Sequence, residues 1–156
     1  MSLRSIADKK LKPIGLGCMN LSHAYGTPPS EKEAIQLLHQ AIDLGVDHFD
    51  TAALYGFGNN EKLLGKALKS HRHKFFLASK CGMTGVDGKR VIDGRPATLR
   101  ATIEQSLRNL QTDVIDLYYL HRWDKNVPIE DSVGELALLV TEGKIKSIGL
   151  SEVSAV

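Results

Sequence analysis

The sequence predicts an α/β fold built on a parallel sheet, because short apolar segments alternate with longer amphipathic segments in a regular order. The apolar segments are too short for helices, and most of them do not alternate between apolar and polar residues. That pattern is typical of parallel strands that are covered on both faces. No linker or low-complexity segment divides the 156 residues, so we expect a single domain over residues 1–156.

Five segments are predicted to be strands, each separated from the next by a predicted helix. In chain order they are Ile14 to Met19, His48 to Ala52, Phe75 to Cys81, Ile115 to His121, and Ile145 to Ser151. Strict alternation implies right-handed crossovers, and therefore either an open doubly wound sheet or part of a (β/α)8 barrel. An open sheet should end with a helix over its fifth strand, whereas a full barrel takes roughly 250 residues. The five strands and four helices end at Val156, a few residues past Ser151 and without such a helix, so an open sheet fits the length but the ending resembles a cut through a larger fold.

Four segments are predicted to be helices because apolar residues recur at helical spacing. The first begins with Ser30 and Glu33, which are spaced as a capping box, and ends at Gly45. The third begins at Pro96, a favoured first-turn residue. Acidic residues open the fourth helix at its positive end. The predicted helices cover residues 30–45, 60–70, 96–110 and 130–143.

Charge and cysteine content exclude several classes of function. The net charge of +2 comes from 20 basic and 18 acidic residues spread along the chain, so we expect neither a nucleic-acid nor a membrane partner. The first residues do not resemble a signal peptide and no apolar stretch is long enough to span a membrane, which predicts a cytoplasmic location. Cys18 and Cys81 have no zinc-like spacing, so we expect two free thiols in the packing and no metal site.

Polar residues that can support catalysis close three of the predicted strands. Asp50, Lys80 and His121 each end an apolar run, and Tyr55 lies five residues after Asp50. Each alone has a structural explanation as a helix cap, a surface base, a loop histidine or loop packing. In a parallel barrel, however, all of these strand ends meet at one face, where catalytic groups are found. The joint placement therefore predicts an active site.

The four side chains favour proton transfer to a carbonyl oxygen over acyl transfer. A free phenol is a poor acid near neutrality, but an ammonium about 4 Å away stabilises the phenolate by roughly 4 kcal/mol at an effective dielectric constant of about 20. Lys80 would supply this charge to Tyr55, Asp50 would keep the lysine charged, and His121 would orient the carbonyl. None is a strong nucleophile, so the hydride would come from a cofactor.

At these residues the chain resembles the aldo-keto reductase family. The segment HFDTAALYGFGNNEKLLGKAL is similar to the family signature, while LASKCG, SLRNLQTDVIDLYYLH and KIKSIGLSE are similar to later family segments. The resemblance covers essentially all of the chain and implies the N-terminal half of a (β/α)8 TIM barrel. It also implies reduction of an aldehyde or ketone with NADPH, with Tyr55 as general acid, Lys80 and Asp50 tuning it, and His121 orienting the substrate.

The resemblance further implies contacts with NADP(H) and with substrate. The cofactor contacts fall on Met19, Asn20, Asp50, Ser151 and Glu152, and the substrate pocket would include His23 and Trp123. Residues 82–95 would form a mobile loop that borders this pocket. Glu152 departs from the family, because many relatives have Asn there. The short leader before Ile14 leaves little room for the usual N-terminal hairpin, and the later strands that bind the adenosine and phosphates lie outside the sequence.

Two other functions remain open. A metal-dependent barrel hydrolase could use His121, Asp50 and the cysteines as ligands, although such sites usually recruit several histidines. A catalytically weak or inactive truncated barrel could instead bind cofactor or act as a regulatory subunit. In either case a half-barrel leaves strand edges and an apolar inner face exposed, so we expect a chain of only these residues to associate with itself.

Overall fold

A computed structural model describes residues 2–22 and 24–154 of the chain. The strands in this part of the chain are β1 (Arg4–Ile6), β2 (Lys9–Leu11), β3 (Leu16–Gly17), β4 (His48–Asp50), β5 (Phe76–Cys81), β6 (Met83–Val86), β7 (Lys89–Ile92), β8 (Leu117–Leu120) and β9 (Ile148–Leu150). The α-helices are α1 (Glu31–Asp43), α2 (Asn59–Leu68), α3 (Pro96–Leu110) and α4 (Ile129–Thr141). No α-helix in these ranges is long and apolar enough to cross a membrane.

The central sheet has five strands in the order β3-β4-β5-β8-β9, and every neighbouring pair is parallel. One α-helix lies in each connection between successive strands, which confirms the predicted alternation. The strand order never reverses, as it would at the switch point of a doubly wound sheet, so the arrangement is that of consecutive strands in a barrel wall. All five carboxyl ends therefore lie at the same edge.

The main hydrophobic core lies between the sheet and the helices. Leu38 of α1, Ile103 of α3 and Leu136 of α4 are fully buried in it beside Phe49 of β4. The predicted capping box of α1 is confirmed, because Ser30 and Glu33 exchange backbone-to-side-chain hydrogen bonds of 2.9 and 3.3 Å. Removing the apolar surface of these helices from water is what fixes them against the sheet.

A hairpin formed by β1 and β2 covers the inner face of the sheet at its amino end. Leu11 is 6% exposed and packs against Phe76, Ala78 and Leu117, whose side chains project from β5 and β8. The expectation that the leader is too short for such a hairpin is therefore wrong. Two strands of three residues and a two-residue turn fit before Leu16, so the first 11 residues already suffice.

Two predicted segments differ from the structure in their local conformation. The first strand is only Leu16–Gly17, and Ile14 is exposed instead of paired. Residues 82–95 are not an irregular loop but contain the antiparallel pair β6 and β7. Asp87 and Gly88 both have positive φ at its turn, which is the geometry of a tight hairpin turn, and the Gly85 backbone lies against the Phe57 ring.

Candidate active site

Lys80 lies near the carboxyl end of β5 and connects three groups from the β4 side of the site. Its ammonium donates to the Asp50 carboxylate, to the Thr51 carbonyl oxygen at 2.9 Å and to the Tyr55 hydroxyl at 3.4 Å. The lysine is only 8% exposed, so these contacts replace most of the water that a free ammonium would bind. The structure thus brings together three of the four predicted catalytic side chains.

The parallel register explains why these residues meet. Asp50 is paired with Ala78, and the Thr51 N–H continues the pattern by donating to the Ala78 carbonyl at 2.9 Å. Side chains alternate along a strand, so Lys80 projects to the same face as Ala78. The carboxyl ends of β4 and β5 therefore place the acid and the base side by side.

Two buried polar residues hold the loop after β4 in place. The Thr51 hydroxyl donates to Asn60 Oδ1 at 2.6 Å, and Asn60 Nδ2 donates to the Cys18 carbonyl at 2.8 Å and to Ser22 Oγ at 3.0 Å. Thr51 and Asn60 are both fully buried. They connect the ends of β3 and β4 to the start of α2, so the backbone that carries Asp50 has little freedom to move.

Tyr55 begins a short 3-10 segment, Tyr55–Gly58, that leads into α2. Within it Gly56 and Phe57 have left-handed backbone angles, which turn the chain back over the strand end. The Tyr55 ring meets the His121 ring edge to face, with centroids 5.9 Å apart. The fourth predicted side chain, His121, therefore lies beside the phenol.

His121 follows β8 and is 6% exposed. Burial, followed by the positive charges of Lys80, Arg122 and Arg90, lowers the pKa of His121 from 6.5 to about 4. The imidazole is consequently neutral near pH 7. Its Nδ1 atom is buried and has no hydrogen-bond partner among the described residues, which leaves Nε2 as the nitrogen that a ligand can reach.

The predicted cofactor contacts lie at the ends of β3 and β9, on both sides of Asp50 and His121. Met19 and Asn20 form a 3-10 turn just after β3, with Met19 partly buried and Asn20 exposed. Ser151 follows β9, and its N–H continues the sheet by donating to the Leu120 carbonyl at 3.1 Å. The Glu152 carboxylate pairs with Arg122 at 2.8 Å instead of standing alone in the pocket.

The two predicted substrate-pocket residues have different outcomes. His23 lies outside the described residues. Trp123 is 39% exposed, and its indole N–H donates to the Val127 carbonyl at 3.2 Å, while the Lys125 ammonium lies 3.1 Å from the centre of its ring. Trp123 lines a cavity together with Arg122 and Leu150, and none of the four predicted catalytic residues lines that cavity.

Cys18 and Cys81, which the alternative metal site would use as ligands, are both buried. Burial is the main reason why the pKa of Cys18 rises to about 12, and burial also raises the pKa of Cys81, so both groups remain thiols. Both are free and fully buried, as expected for packing residues. Within residues 2–22 and 24–154 there is no group of three or more His, Cys, Asp or Glu side chains that could hold a metal ion.

Three polar residues at the site were not identified from the sequence. Thr51 and Asn60 act through buried hydrogen bonds, and Arg122 connects His121 to the end of β9. Asn60 occurs in the segment GNNEKL, where the sequence indicates only the start of a helix. Arg122 directly follows the predicted histidine, and this adjacency was the only signal that could have indicated it.

The arrangement is suited to delivering a proton to a ligand at the carboxyl edge of the sheet. A phenol lies within reach of an ammonium, the ammonium is paired with a carboxylate, and a neutral imidazole lies next to the phenol. Such preorganised groups stabilise charge that develops on a ligand oxygen without having to reorganise.

Comparison with known proteins agrees with this geometry. A family model described as "Aldo/keto reductase family" matches residues 13–156. A soybean (Glycine max) protein named "Probable aldo-keto reductase 1" is 45% identical over 148 residues, which are 93% of this chain and 42% of that protein. The chain therefore spans less than half the length of this curated relative.

Solved structures give the same result. The holo form of an aldo-keto reductase from Bacillus halodurans superimposes with a TM-score of 0.85 at 36% identity, covering 96% of this chain and 50% of that one. An aldo/keto reductase from Klebsiella pneumoniae, solved with NADP and acetate, gives a TM-score of 0.78 at 29% identity and covers 95% of this chain and 48% of that one. The predicted (β/α)8 parentage and the family resemblance are confirmed, with the chain corresponding to a partial barrel.

Proposed function

The chain belongs to the aldo/keto reductase family, and from this premise we propose that it reduces aldehydes or ketones to alcohols with a hydride from NADPH, using Tyr55 as the general acid. The observation that carries the proposal is the Tyr55 hydroxyl lying 3.4 Å from the Lys80 ammonium, in a pocket where water is largely replaced by protein. A nearby ammonium favours the phenolate that forms when Tyr55 gives up its proton.

Asp50 and Lys80 are proposed to act on Tyr55 as a pair. The carboxylate lets the buried lysine stay charged, and the Thr51 carbonyl oxygen accepts a second hydrogen bond from the same ammonium. The lysine ammonium is thereby held 3.4 Å from the Tyr55 hydroxyl. Loss of the phenolic proton is stabilised at a fixed position rather than by mobile solvent.

His121 is proposed to orient the carbonyl group of the substrate. A neutral imidazole protonated on Nε2 can donate a hydrogen bond to the same oxygen that receives the proton from Tyr55. Its low pKa supports this role, because a permanently neutral ring does not add a second positive charge beside Lys80. The substrate oxygen would then lie between the phenol and the imidazole.

The donor set at the strand ends fits the nicotinamide end of the proposed cofactor. The Asp50 side chain remains 32% exposed although it is paired with Lys80, so its carboxylate can also accept from a ribose hydroxyl. Ser151 offers a hydroxyl for the carboxamide, and Met19 and Asn20 would border the ring. When bound, NADPH supplies the hydride that adds to the carbonyl carbon.

Replacement of Tyr55 by Phe tests the assignment of the acid. We expect NADPH oxidation with 4-nitrobenzaldehyde to fall by about 10²- to 10⁴-fold, because general acid catalysis contributes on that order. Tyr25→Phe is the matched control, since it removes the same hydroxyl from a tyrosine that is 82% exposed. Equal rates for wild type and Tyr55→Phe would show that another group gives the proton. If wild type binds NADPH without oxidising it, the alternative of a binding or regulatory subunit is supported instead.

We also propose that a chain made of only these residues associates with further copies of itself. The outer edges of β3 and β9 have no strand partner in the described part of the chain, and Leu150 and Val153 are exposed near the β9 edge. Unpaired edges next to apolar side chains favour association. Light scattering should therefore report dimers or larger species, whereas a monodisperse monomer would contradict this expectation. The cytoplasmic location remains a prediction.

A further inference from the structure

Arg122 connects the ends of two neighbouring strands at the edge of the proposed active site. From its position after β8, one guanidinium nitrogen donates to the His121 carbonyl oxygen at 2.7 Å and lies 3.4 Å from the Ser151 hydroxyl. The other terminal nitrogen pairs with the Glu152 carboxylate at 2.8 Å. A planar guanidinium can satisfy several acceptors in a fixed fork, which a lysine ammonium does less well.

Glu152 is held in an unusual backbone conformation. Its φ is +53°, in the left-handed region that glycine and asparagine adopt more readily than other residues. A residue kept in this region normally has surrounding contacts that enforce it, and such residues cluster at functional sites. The Glu152 side chain is 68% exposed, and the contact observed for it is the ion pair with Arg122.

We infer that Arg122 and Glu152 form a positioning pair that fixes His121 relative to Ser151, with Glu152 acting through Arg122 and not through its own contact with the cofactor. This inference deepens the proposed reductase function and rests on it for its catalytic consequence. Their effect is on the geometry and charge around the imidazole.

The charges around His121 show why both members matter. Lys80 on β5, Arg90 on β7 and Arg122 are the cations that act on the ring, and the neutral Tyr55 ring packs against it. Glu152 is the carboxylate paired with one of these cations, whereas Asp50 is paired with another. Removing Arg122 therefore takes away a repelling charge, while removing the charge of Glu152 leaves that repelling charge uncompensated.

Titration of the histidine ring by NMR in the full chain provides a test that does not need turnover. The His121 signal is assigned by its loss in His121→Gln. We expect Arg122→Gln to raise the pKa of His121 and Glu152→Gln to lower it, with Glu130→Gln, an exposed glutamate on α4, leaving it unchanged. A pKa that stays the same in both variants, or moves in the same direction in both, would overturn the inference.

Kinetics with the same variants separates positioning from cofactor contact. A displaced catalytic group costs rate rather than affinity, so Arg122→Gln and Glu152→Gln should each lower kcat by about tenfold with a smaller change in the KM for NADPH. The double variant should be no slower than Arg122→Gln alone, because Glu152 has nothing left to act through. Effects that multiply in the double variant would mean that Glu152 contacts the cofactor or substrate independently.

Glu152→Asn distinguishes the ion pair from the backbone conformation. Asparagine tolerates the left-handed region but has no carboxylate, so we expect this variant to behave like Glu152→Gln in both measurements. Wild-type behaviour of Glu152→Asn would show that the backbone angle is what matters and would overturn the role of the pair. If the wild-type chain is inactive but the two pKa shifts are observed, the proposed function fails while the structural pairing stands.

Discussion

The two ends of the parallel sheet contain similar charged groups but differ in how completely those groups are paired. At the amino end, Asp116 is 3% exposed and accepts from Arg72 at 2.5 Å, from Lys146 at 2.6 Å and from the Leu77 N–H at 2.9 Å. At the carboxyl end, Asp50 is a third exposed and His121 keeps a buried nitrogen without a partner among the described residues.

The difference separates a stabilising cluster from a reactive one. Burial alone would raise the pKa of Asp116, but the hydrogen bonds from Lys146 and Leu77 and the charge of Arg72 lower it overall. Protein donors occupy three of the roughly four acceptor sites of that carboxylate. In barrel enzymes the carboxyl face is where the chemistry takes place and the opposite face contributes stability. Here the Asp116 carboxylate at the amino end is paired with protein donors, whereas His121 Nδ1 at the carboxyl end has no partner among the described residues.

Among the variants that compare the two ends, Lys80→Met should have the largest effect, and that effect is on rate. Without the ammonium the phenolate of Tyr55 loses its stabilisation, so we expect kcat to fall by about 10²- to 10³-fold. Unfolding in urea should change little, because the partly exposed Asp50 carboxylate can be rehydrated. The matched control is Lys62→Met, at an exposed position on α2. A large loss of stability with unchanged kcat would mean that Lys80 stabilises the fold, as the partners of Asp116 do, and does not act in catalysis.

Arg72→Met should produce the opposite result at the amino end. The change leaves the buried Asp116 carboxylate with fewer compensating partners, which should lower the free energy of unfolding by about 3 kcal/mol. The kcat of the molecules that remain folded should stay the same. Urea denaturation combined with the NADPH oxidation assay measures both quantities. A fall in kcat without destabilisation would mean that Arg72 supports catalysis, so that the two ends would not differ in function.

Leu11→Ala tests the hairpin that covers the amino end of the inner face. Leu11 is 6% exposed, and truncating a buried leucine costs about 2 to 3 kcal/mol at a site that partly relaxes. Leu3→Ala, at a leucine that is 54% exposed, is the control and should be close to neutral. Equal midpoints of urea unfolding for both variants would mean that the hairpin contributes no packing energy.

The two ends should also differ in their sensitivity to acid. The folded state keeps His121 neutral down to about pH 4, whereas the unfolded chain binds that proton at its ordinary pKa of 6.5. Stability should therefore fall as the pH drops from about 6.5 to about 4. The lowered pKa of Asp116 acts in the same direction but later, since its contribution is lost only as the pH falls below 3.8 through its folded pKa.

His121→Gln isolates the contribution from the carboxyl end. The slope of unfolding free energy against pH should become smaller between pH 6.5 and 4, and not vanish, because burial also lowers the pKa of His48. Urea unfolding at a series of pH values measures the slope. An unchanged slope in His121→Gln would show that the imidazole is not held neutral in the folded state.

Features that depend on a short stretch of sequence could be predicted. The apolar runs placed Asp50, Lys80 and His121 at strand ends, and parallel pairing then brings such ends to one edge whatever the details of the loops. The capping box at Ser30 and Glu33 was equally local. The roles of these side chains in catalysis are still proposals, since placement does not establish chemistry.

Features that depend on contacts between distant residues could not be predicted. Asn60 is bonded to a carbonyl 42 positions away, and nothing near it in the sequence specifies that partner. The first hairpin turns at Ala7, which has a positive φ without the usual glycine signal. At Asp87 and Gly88 the signal was present, but the glycines were interpreted as a source of mobility instead of as a tight turn.

The position of the first hairpin also matters for how the protein is made. Residues 4–11 leave the ribosome before any strand of the parallel sheet, and a hairpin with a two-residue turn forms within microseconds. Leu11 is therefore available before Phe76 and Leu117, the residues that it covers, have been synthesised. Two strands of three residues are at best marginally stable alone in water, so this hairpin becomes fixed only when β5 and β8 are present for Leu11 to cover.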